Sequence, residues 1–489
     1  MKFTNKKIHI GIIVLGIIFL LIPVFHTGLW FDESYTVGIV NKGFGDIWSI
    51  GKNDVHPIFY YWILHVFNLV FGSNIIVYRI LSVAFMAILG ILGYTHIRKD
   101  FGEKAGILFS IFVYFFPVNV VYAGEIRMYS LAMLLVTLMS IYAYRIYKNK
   151  NEKNKVNWLL FAIFSLASAY THYYGLMIAF LENLILFLLF IIQSVKEKKI
   201  TYNFKAFFVS AIPQILLYIP WLITLLQKVS TPGDFWIALK FPDTVIELLT
   251  FPFTGNLGGS YYVILPMAII YALSMYGYLI FIHIKNRKDE SLRPALFSII
   301  LWMLLLLTSK ITSDVIGKVV IYARYMLVAG GLFSFFISYT MSKKGNRDIN
   351  IIAITTTIVL SMMVVCGLAY ENYDKSNVEY KEYVKTEIKK DDLFICTSEL
   401  TGVVTSTYLP NNEIYFWDKD NWGIEEAYKA FGKTIYDFEF LKDYSGRIWV
   451  SNPEILNAIK EKYEVKEIDN KEFYTRYKGQ HFNLILIEK

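Results

Sequence analysis

Two adjacent carboxylates, Asp32 and Glu33, follow directly after the first hydrophobic stretch of the chain, roughly residues 8–25. An unpaired charge is costly in hydrocarbon, so a pair at the end of such a stretch must face water, a cation or a bound molecule. A carboxylate within hydrogen-bond reach of a hydroxyl group can also remove its proton. We therefore interpret Asp32 as a candidate general base.

The composition predicts a polytopic α-helical membrane protein. The chain has 489 residues, of which 55% are hydrophobic and 17% aromatic, and its mean hydropathy is +0.44. A soluble domain of this size does not need so much apolar material to build its core. Windows of about 20 apolar residues predict about eleven transmembrane helices. They fall near residues 8–25, 74–97, 105–122, 128–147, 156–174, 175–193, 206–227, 261–284, 295–311, 319–341 and 349–370.

The charges of the connecting loops predict the orientation of these helices. Six basic segments carry 22 of the 31 Lys and Arg residues in positions 1–370. They are residues 2–7, 98–104, 145–155, 196–205, 285–293 and 343–347. The positive-inside rule assigns all six to the cytoplasmic side. The N-terminus is then cytoplasmic, and an odd number of spans leaves the C-terminal tail outside.

The character of the sequence changes at about residue 371. Residues 1–370 hold 31 Lys and Arg against 17 Asp and Glu, whereas residues 371–489 hold 17 against 23. The tail contains two strand-like runs and one helix-like run, at residues 391–396, 482–487 and 453–462. We predict a transmembrane catalytic domain over residues 1–370 and a small extracytoplasmic α/β domain over residues 371–489. The basic membrane part suits anionic lipid head groups, and nucleic acid is not an expected partner.

The first outer loop, residues 26–73, is long and amphipathic. Residues 56–65 are rich in aromatic side chains and start with His56-Pro57, and proline is typical of the first turn of a helix. Helices of this kind lie along the membrane surface with their apolar side chains in the lipid. We predict interfacial helices in this loop.

Ionisable side chains at the outer ends of the predicted spans are the main indication of a functional site. They are Asp32, Glu33, Asp54, His56, Arg79, Glu125, Arg127, His172 and Arg324. Each has an ordinary explanation: an arginine can anchor a span at the head groups, Glu125 and Arg127 can pair with each other, and His172 can belong to an aromatic belt. Their convergence on one face of the membrane favours a site.

A carboxylate base beside several arginines at the lipid boundary suits transfer of a group from a polyprenyl-phosphate carrier. The acceptor hydroxyl needs a general base, which a carboxylate supplies. The leaving phosphate needs its charge stabilised, which arginine does in a forked geometry. Hydrolysis of an ordinary glycoside would instead require a second carboxyl group to protonate the leaving oxygen. Displacement from the face opposite the phosphate would invert the anomeric centre.

Six short stretches resemble motifs of the GT-C membrane glycosyltransferases, in the branch of the protein O-mannosyltransferases and aminoarabinose transferases. They are Phe31-Asp32-Glu33, Asp54-Val55-His56-Pro57 with Tyr60-Tyr61, Tyr78-Arg79-Ile80-Leu81-Ser82, Glu125-Ile126-Arg127-Met128-Tyr129-Ser130-Leu131, Tyr170-Thr171-His172-Tyr173-Tyr174-Gly175 and Arg324-Tyr325. The resemblance covers roughly residues 8–345. It departs from the family pattern at Ile58, where the family has a second proline, and in the tail, which lacks a β-trefoil pattern.

The resemblance implies a role for each candidate residue. Asp32 would be the base, and Glu33 would help to orient the acceptor or the donor. The residues expected to bind the donor phosphate are Arg79, Arg127 and Arg324, with Glu125 ordering Arg127. The residues expected to line the sugar and acceptor cavity are Asp54, His56, Tyr129, His172 and Tyr173. Asp54 is an alternative general base. A divalent metal at Asp32, Glu33 and His56 is chemically feasible, but arginines can neutralise a phosphate, so no metal or other cofactor is expected.

The expected activity is inverting transfer of a hexosyl or mannosyl group from a polyprenyl-phosphate-linked donor to an acceptor hydroxyl on the outer face of the membrane. The acceptor would be a protein, a lipid or a cell-envelope polymer. Two alternatives stay open: a flippase or transporter of lipid-linked sugars, and a polymer ligase that uses polyprenyl-diphosphate donors. The absence of an inverted repeat speaks against transport. Richness in Lys, Ile, Asn and Tyr suggests an AT-rich bacterial genome, and hence the bacterial plasma membrane.

Overall fold

Helices form most of the chain up to residue 387 in the computed structural model, which describes residues 5–54, 56–149, 153–230, 237, 242–255, 261–421 and 423–489. The helices are, in chain order, α1 (Asn5–Leu21), α2 (Phe31–Val40), α3 (Phe44–Gly51), α4 (Phe59–Phe71), α5 (Ile75–Leu92), α6 (Arg98–Phe101), α7 (Glu103–Phe115), α8 (Pro117–Ala123), α9 (Tyr129–Lys148), α10 (Lys155–Thr171), α11 (Tyr173–Lys196), α12 (Tyr202–Ser230), α13 (Asp243–Thr254), α14 (Tyr261–Lys285), α15 (Arg293–Ile316), α16 (Gly330–Lys344), α17 (Arg347–Asn372), α18 (Ser376–Glu387), α19 (Glu399–Tyr408) and α20 (Pro453–Lys460).

Among the described residues, eight helical segments are long and apolar enough to cross a membrane. The bent pair of α7 and α8 raises the number to nine if it counts as one span, with an angle of 59° between the two helices. Phe116 at the bend has extended backbone angles, as expected for the residue before a proline, here Pro117. The predicted count of about eleven is not confirmed. The difference lies in α1 and α10, which coincide with predicted spans but are only 17 residues long.

The chain divides into two compact units. The membrane unit comprises Met1–Ile22 and Ile80–Gly367, and the second unit comprises Pro23–Arg79 and Leu368–Lys489. The second boundary lies close to the predicted one at residue 370. The first outer loop, however, belongs to the same unit as the C-terminal domain. We call this second unit the loop and tail unit.

Helix α4 in the first outer loop begins later than the sequence predicts. Pro57 precedes the helix, and Ile58 is its N-cap, so the proline does not occupy the first turn. The loop contains two further helices, α2 and α3. At the end of α4, Leu69, Val70 and Phe71 are exposed, which leaves an apolar surface on this helix.

The tail folds into the predicted small α/β domain. Its strands are β1 (Leu393–Cys396), β2 (Ile414–Trp417), β3 (Lys433–Ile435), β4 (Arg447–Val450), β5 (Lys466–Thr475) and β6 (Gln480–Glu488), in the sheet order β3-β2-β1-β4-β6-β5. The first four strands pair in parallel, whereas β6 runs antiparallel to both β4 and β5. Branched side chains such as Ile395, Ile448 and Ile485 form its core with Ile455 of α20.

Candidate active site

Asp32 lies in the first turn of α2, where the helix start favours a negative charge. Trp30 has extended backbone angles and is the N-cap, so the helix begins at Phe31 and carries both acids in its first turn. The two side chains diverge in environment: Glu33 is fully buried, and Asp32 is half-buried. Of the two, Asp32 is therefore the more exposed residue.

Glu33 forms a two-bond ion pair with Arg79. The Arg79 Nη1 and Nη2 atoms donate to Oε1 and Oε2 of Glu33 at 2.7 and 2.8 Å, and the exposed fractions of the two side chains are 2% and 0%. Nη2 also donates to the carbonyl oxygen of Gly28 at 2.8 Å, and the Tyr477 hydroxyl donates to Glu33 Oε2 at 3.1 Å. Such forked pairs fix both position and orientation. Arg79 therefore connects the first turn of α2, through Glu33, with the backbone at Gly28.

The C-terminal domain also forms hydrogen bonds with the start of α2. The backbone amide of Phe31 donates to Gln480 Oε1 at 3.0 Å, and Gln480 Nε2 donates to the Leu29 carbonyl at 3.1 Å. The hydroxyl of Thr407 donates to the carbonyl oxygen of Ser34 at 3.0 Å. Sequence reasoning missed these residues, because no local pattern marks a contact between positions 373 to 451 apart.

Asp54 and His56 are buried in the same unit. The Tyr61 hydroxyl donates to Asp54 Oδ2 at 3.0 Å, which gives the tyrosine pair of the motif a physical role. The exposed fractions of Asp54 and His56 are 5% and 3%. Asp54 is thus less accessible than Asp32.

Tyr428 of the C-terminal domain packs against α2. Its ring lies 5.5 Å from the rings of both Phe31 and Tyr35 on α2. Burial raises the pKa of the Tyr428 phenol, and nearby carboxylates raise it further; they are Glu425, Asp54, Glu399 and Asp32. Tyr428 therefore packs against the helix that carries Asp32, a contact that the sequence did not indicate.

The membrane unit contains a second cluster, centred on His172 between α10 and α11. Its Nδ1 atom accepts a hydrogen bond from the Tyr174 amide at 3.0 Å, which leaves the proton of the neutral ring on Nε2. Burial, together with the positive charges of Arg127 and Arg324, lowers the pKa of His172 from 6.5 to about 3. The ring therefore stays neutral near pH 7, and it suits hydrogen bonding to a sugar better than proton transfer.

The remaining candidates of the membrane unit also lie at the ends of helices or in the connections between them. Glu125 and Arg127, both buried, connect α8 to α9, and Tyr129 is the first residue of α9. The Tyr129 ring lies 5.9 Å from that of His172. Tyr173 is the first residue of α11, and Arg324 lies in a 3-10 turn, Ala323–Ala329, that precedes α16.

The candidate residues thus form two clusters, one in each unit. Asp32, Glu33, Asp54, His56 and Arg79 belong to the loop and tail unit, and the other six belong to the membrane unit. The described residues contain no group of three or more His, Cys, Asp or Glu side chains arranged to hold a metal ion. The three-residue metal site does not fit this geometry, because both Glu33 oxygens accept hydrogen bonds from Arg79.

The depressed pKa of His172 predicts a stability change with pH. Between about pH 6.5 and about pH 3, the unfolded chain protonates this imidazole and the folded chain does not, so lowering the pH favours unfolding. We expect the unfolding temperature of the wild type to fall more steeply between about pH 7 and about pH 5 than that of the His172→Asn variant. His26, whose pKa burial lowers to about 2, acts in the same direction in both proteins. The exposed His481→Asn variant should keep the wild-type slope, and an unchanged slope in His172→Asn would contradict the prediction.

Comparisons with known proteins identify a matching sequence family and a matching fold. Residues 55–224 match the family model described as dolichyl-phosphate-mannose-protein mannosyltransferase. The whole chain matches the crystal structure of ArnT from Cupriavidus metallidurans bound to undecaprenyl phosphate, with a TM-score of 0.60 and 11% identity over 99% of this chain and 97% of ArnT. The apo structure of the same protein gives a TM-score of 0.61 and 10% identity over the same shares. No curated protein sequence matches the chain significantly.

The fold match and the family match concern different parts of the chain. The structural likeness extends over almost the full length of both chains, so the C-terminal sheet domain belongs to the shared architecture. The family match, residues 55–224, includes His56, Arg79, Arg127 and His172. The chain is a multi-pass membrane protein with the GT-C type fold of ArnT, and its residues 55–224 match the mannosyltransferase family model.

Proposed function

We propose that the protein transfers a sugar, with inversion, from a polyprenyl-phosphate carrier to a hydroxyl group on the outer face of the membrane. The observation that carries the proposal is the start of α2, where Asp32 stays accessible while Glu33, Arg79 and Gln480 hold the backbone around it. The bound undecaprenyl phosphate of ArnT supports a carrier of this class. The description of the matching family supports a hexosyl group of the mannosyl kind.

The chemistry requires one base and one anion site. Asp32 accepts the proton of the acceptor hydroxyl. At the same time, the oxygen of that hydroxyl attacks the anomeric carbon from the face opposite the phosphate. The bond between that carbon and the phosphate oxygen breaks, and its electron pair leaves with the polyprenyl phosphate. Arg127 and Arg324 stabilise the departing charge. Asp32 then returns the proton to water, and no metal or other cofactor takes part.

The remaining residues divide into positioning and binding groups. Glu33 and Arg79 position the turn that carries Asp32, and Glu125 orders Arg127. We assign sugar and acceptor binding to Asp54 and His56 of the loop and tail unit and to Tyr129, His172 and Tyr173 of the membrane unit. In this assignment the Nε2–H group of neutral His172 donates to a sugar hydroxyl. The tail and the outer loops select the acceptor, a protein, lipid or cell-envelope polymer. The setting is a bacterial plasma membrane, with the N-terminus in the cytoplasm and the C-terminal domain outside.

Removal of the Arg127 side chain should weaken donor binding. A charge-assisted hydrogen bond to a phosphate contributes about 1.5–3 kcal/mol, so the Kd of a polyprenyl-phosphate sugar should rise roughly 10- to 150-fold in Arg127→Ala. The matched control is Lys148→Ala, which removes an exposed cation at the other end of the same helix, α9. Donor binding can be measured by calorimetry on detergent-solubilised protein. A donor affinity equal to that of the wild type would remove Arg127 from the phosphate site.

The proposal is tested by mixing the purified protein with a panel of lipid-linked sugars and measuring released polyprenyl phosphate. Release from monophosphate-linked sugars that depends on an acceptor supports the proposal. Release of polyprenyl diphosphate instead would identify a polymer ligase. Movement of an intact lipid-linked sugar across a proteoliposome membrane, with no release of carrier, would identify a flippase.

A further inference from the structure

A cavity of about 590 Å³ lies inside the membrane unit, among α9, α11, α15 and α16. Its volume falls within the range of about 300–1,000 Å³ that is usual for small-molecule sites. Most of its lining is apolar or aromatic, as at Tyr144, Leu189 and Phe335. None of the candidate active-site residues lines it, so it is separate from the cluster around His172.

The cavity opens toward the lipid. Leu296, Phe297 and Ile300 line it and are at the same time exposed on α15. The segment that contains them, Glu290–Ile316, is long and apolar enough to span the membrane. Exposed apolar side chains on a spanning helix face acyl chains, so a molecule dissolved in the bilayer can reach the cavity from the side.

Two carboxyl groups line the cavity: Glu290 is exposed and forms an ion pair with Arg293, whereas Glu182 is buried. The exposed fraction of Glu182 is 1%, and its Oε1 atom accepts a hydrogen bond from the Ser140 hydroxyl. Its Oε2 atom has no hydrogen-bond partner among the described residues. At 1.5 Å per residue, Glu182 lies about 14 Å from one end of α11 and about 21 Å from the other. A carboxyl group this deep in a membrane protein is a candidate ligand-binding group.

The position of Glu182 restricts the chemistry of its partner. A charged or zwitterionic head group would lose its hydration at this depth, and a buried ion pair with an amine would still cost the desolvation of both charges. A neutral molecule with a hydrocarbon chain and one hydroxyl group avoids that cost and offers the donor that Oε2 lacks. We propose that the cavity binds a neutral lipid alcohol, whose hydroxyl donates to Glu182 and whose chain leaves the cavity past Leu296 and Phe297. This proposal does not depend on the transfer reaction.

Competition between matched ligands tests the site on the wild-type protein in lipid nanodiscs. A long-chain alcohol with a photoreactive diazirine labels the protein, and farnesol and farnesyl methyl ether compete with it. We expect peptides from α9, α11 or α15 to be labelled, and farnesol to compete about tenfold better than its ether, which lacks the donor. Equal competition by the ether, or competition by farnesylamine without competition by farnesol, would overturn the proposal. Dioctanoylglycerol replaces farnesol in a parallel arm, so the stronger competitor identifies an acylglycerol or an isoprenoid source.

Variants locate the binding within the cavity. Glu182→Leu should abolish the tenfold preference for farnesol over the ether, and Leu189→Trp should fill the cavity and reduce labelling at least tenfold. Leu188→Trp, the matched control one position along on the exposed side of α11, should label like the wild type. Size-exclusion chromatography checks that each variant is folded. A folded Glu182→Leu protein that still prefers farnesol to its methyl ether would show that the alcohol binds elsewhere. If this variant does not fold, the competition of farnesol and its ether on the wild-type protein decides the proposal.

Discussion

The Asp32→Asn variant should lose roughly 10²- to 10⁴-fold in the kcat of sugar transfer, the usual contribution of a general base. The amide has nearly the same shape as the carboxylate but cannot take the proton of the acceptor. Because Asp32 is half-buried and the helix start is held by Glu33 and Gln480, the variant should fold normally. Its affinity for the polyprenyl-phosphate sugar should equal that of the wild type. Released polyprenyl phosphate measures the rate, and calorimetry measures donor binding.

Two matched variants make the result specific. Asp54→Asn removes the alternative base, which is buried and accepts a hydrogen bond from Tyr61. Asp46→Asn removes an exposed carboxylate in the first turn of α3. If Asp32→Asn transfers sugar at the wild-type rate, Asp32 is not the base. If the large loss in kcat appears in Asp54→Asn instead, that role belongs to Asp54.

The membrane architecture could be predicted from the sequence because it follows from local composition. Each predicted span coincides with a helical stretch of the structure, since a run of about 20 apolar residues can satisfy its backbone in lipid only as a helix. The number of spans could not be predicted with the same accuracy. The lengths of α1 and α10 and the bend at Phe116 depend on where each helix ends in three dimensions.

The identity of the candidate residues was also accessible, because charged side chains at span ends stand out against an apolar background. Their partners were not. The sequence singled out Asp32 as the base but could not show how the surroundings of the two acids differ. In the structure, Arg79 and Tyr477 donate hydrogen bonds to Glu33, which is fully buried. Gln480 lies about 450 positions from the backbone that it holds, so only the folded chain can reveal its role.

The grouping of the first outer loop with the tail also depends on contacts between positions that are far apart in the sequence. The sequence assigns residues 26–73 to the membrane domain because they lie between two spans. In the structure, α2 packs against α19 and hydrogen-bonds to Thr407 and Gln480, so the loop and tail form one compact unit. The boundary at about residue 371 can be predicted because the composition changes there. Residues 26–73 show no comparable change that would predict their packing with a domain far along the chain.

Breaking the Glu33–Arg79 pair from one side should destabilise the protein by about 3–5 kcal/mol, because the remaining charge would be buried without its partner. Arg79→Met and Glu33→Leu are the two single variants. The double variant places two apolar side chains at the same positions, and buried ion pairs replaced in this way often lose little stability. We therefore expect the double variant to be more stable than either single one. Unfolding in mixed micelles on titration with SDS, followed by tryptophan fluorescence, measures the three changes in the free energy of unfolding.

The same three proteins distinguish two roles for Arg79. If the pair positions the turn that carries Asp32, the folded double variant should bind the donor like the wild type and transfer sugar more slowly, because the general base is less well fixed. If Arg79 instead binds the donor phosphate, as the family resemblance implies, the double variant should lose donor affinity to the same degree as Arg127→Ala. Additive destabilisation by the two single substitutions would contradict the pairing itself, since contacting partners in a double-mutant cycle are coupled. The fork geometry, with both Glu33 oxygens on one guanidinium and a third bond to the Gly28 carbonyl, favours the positioning role.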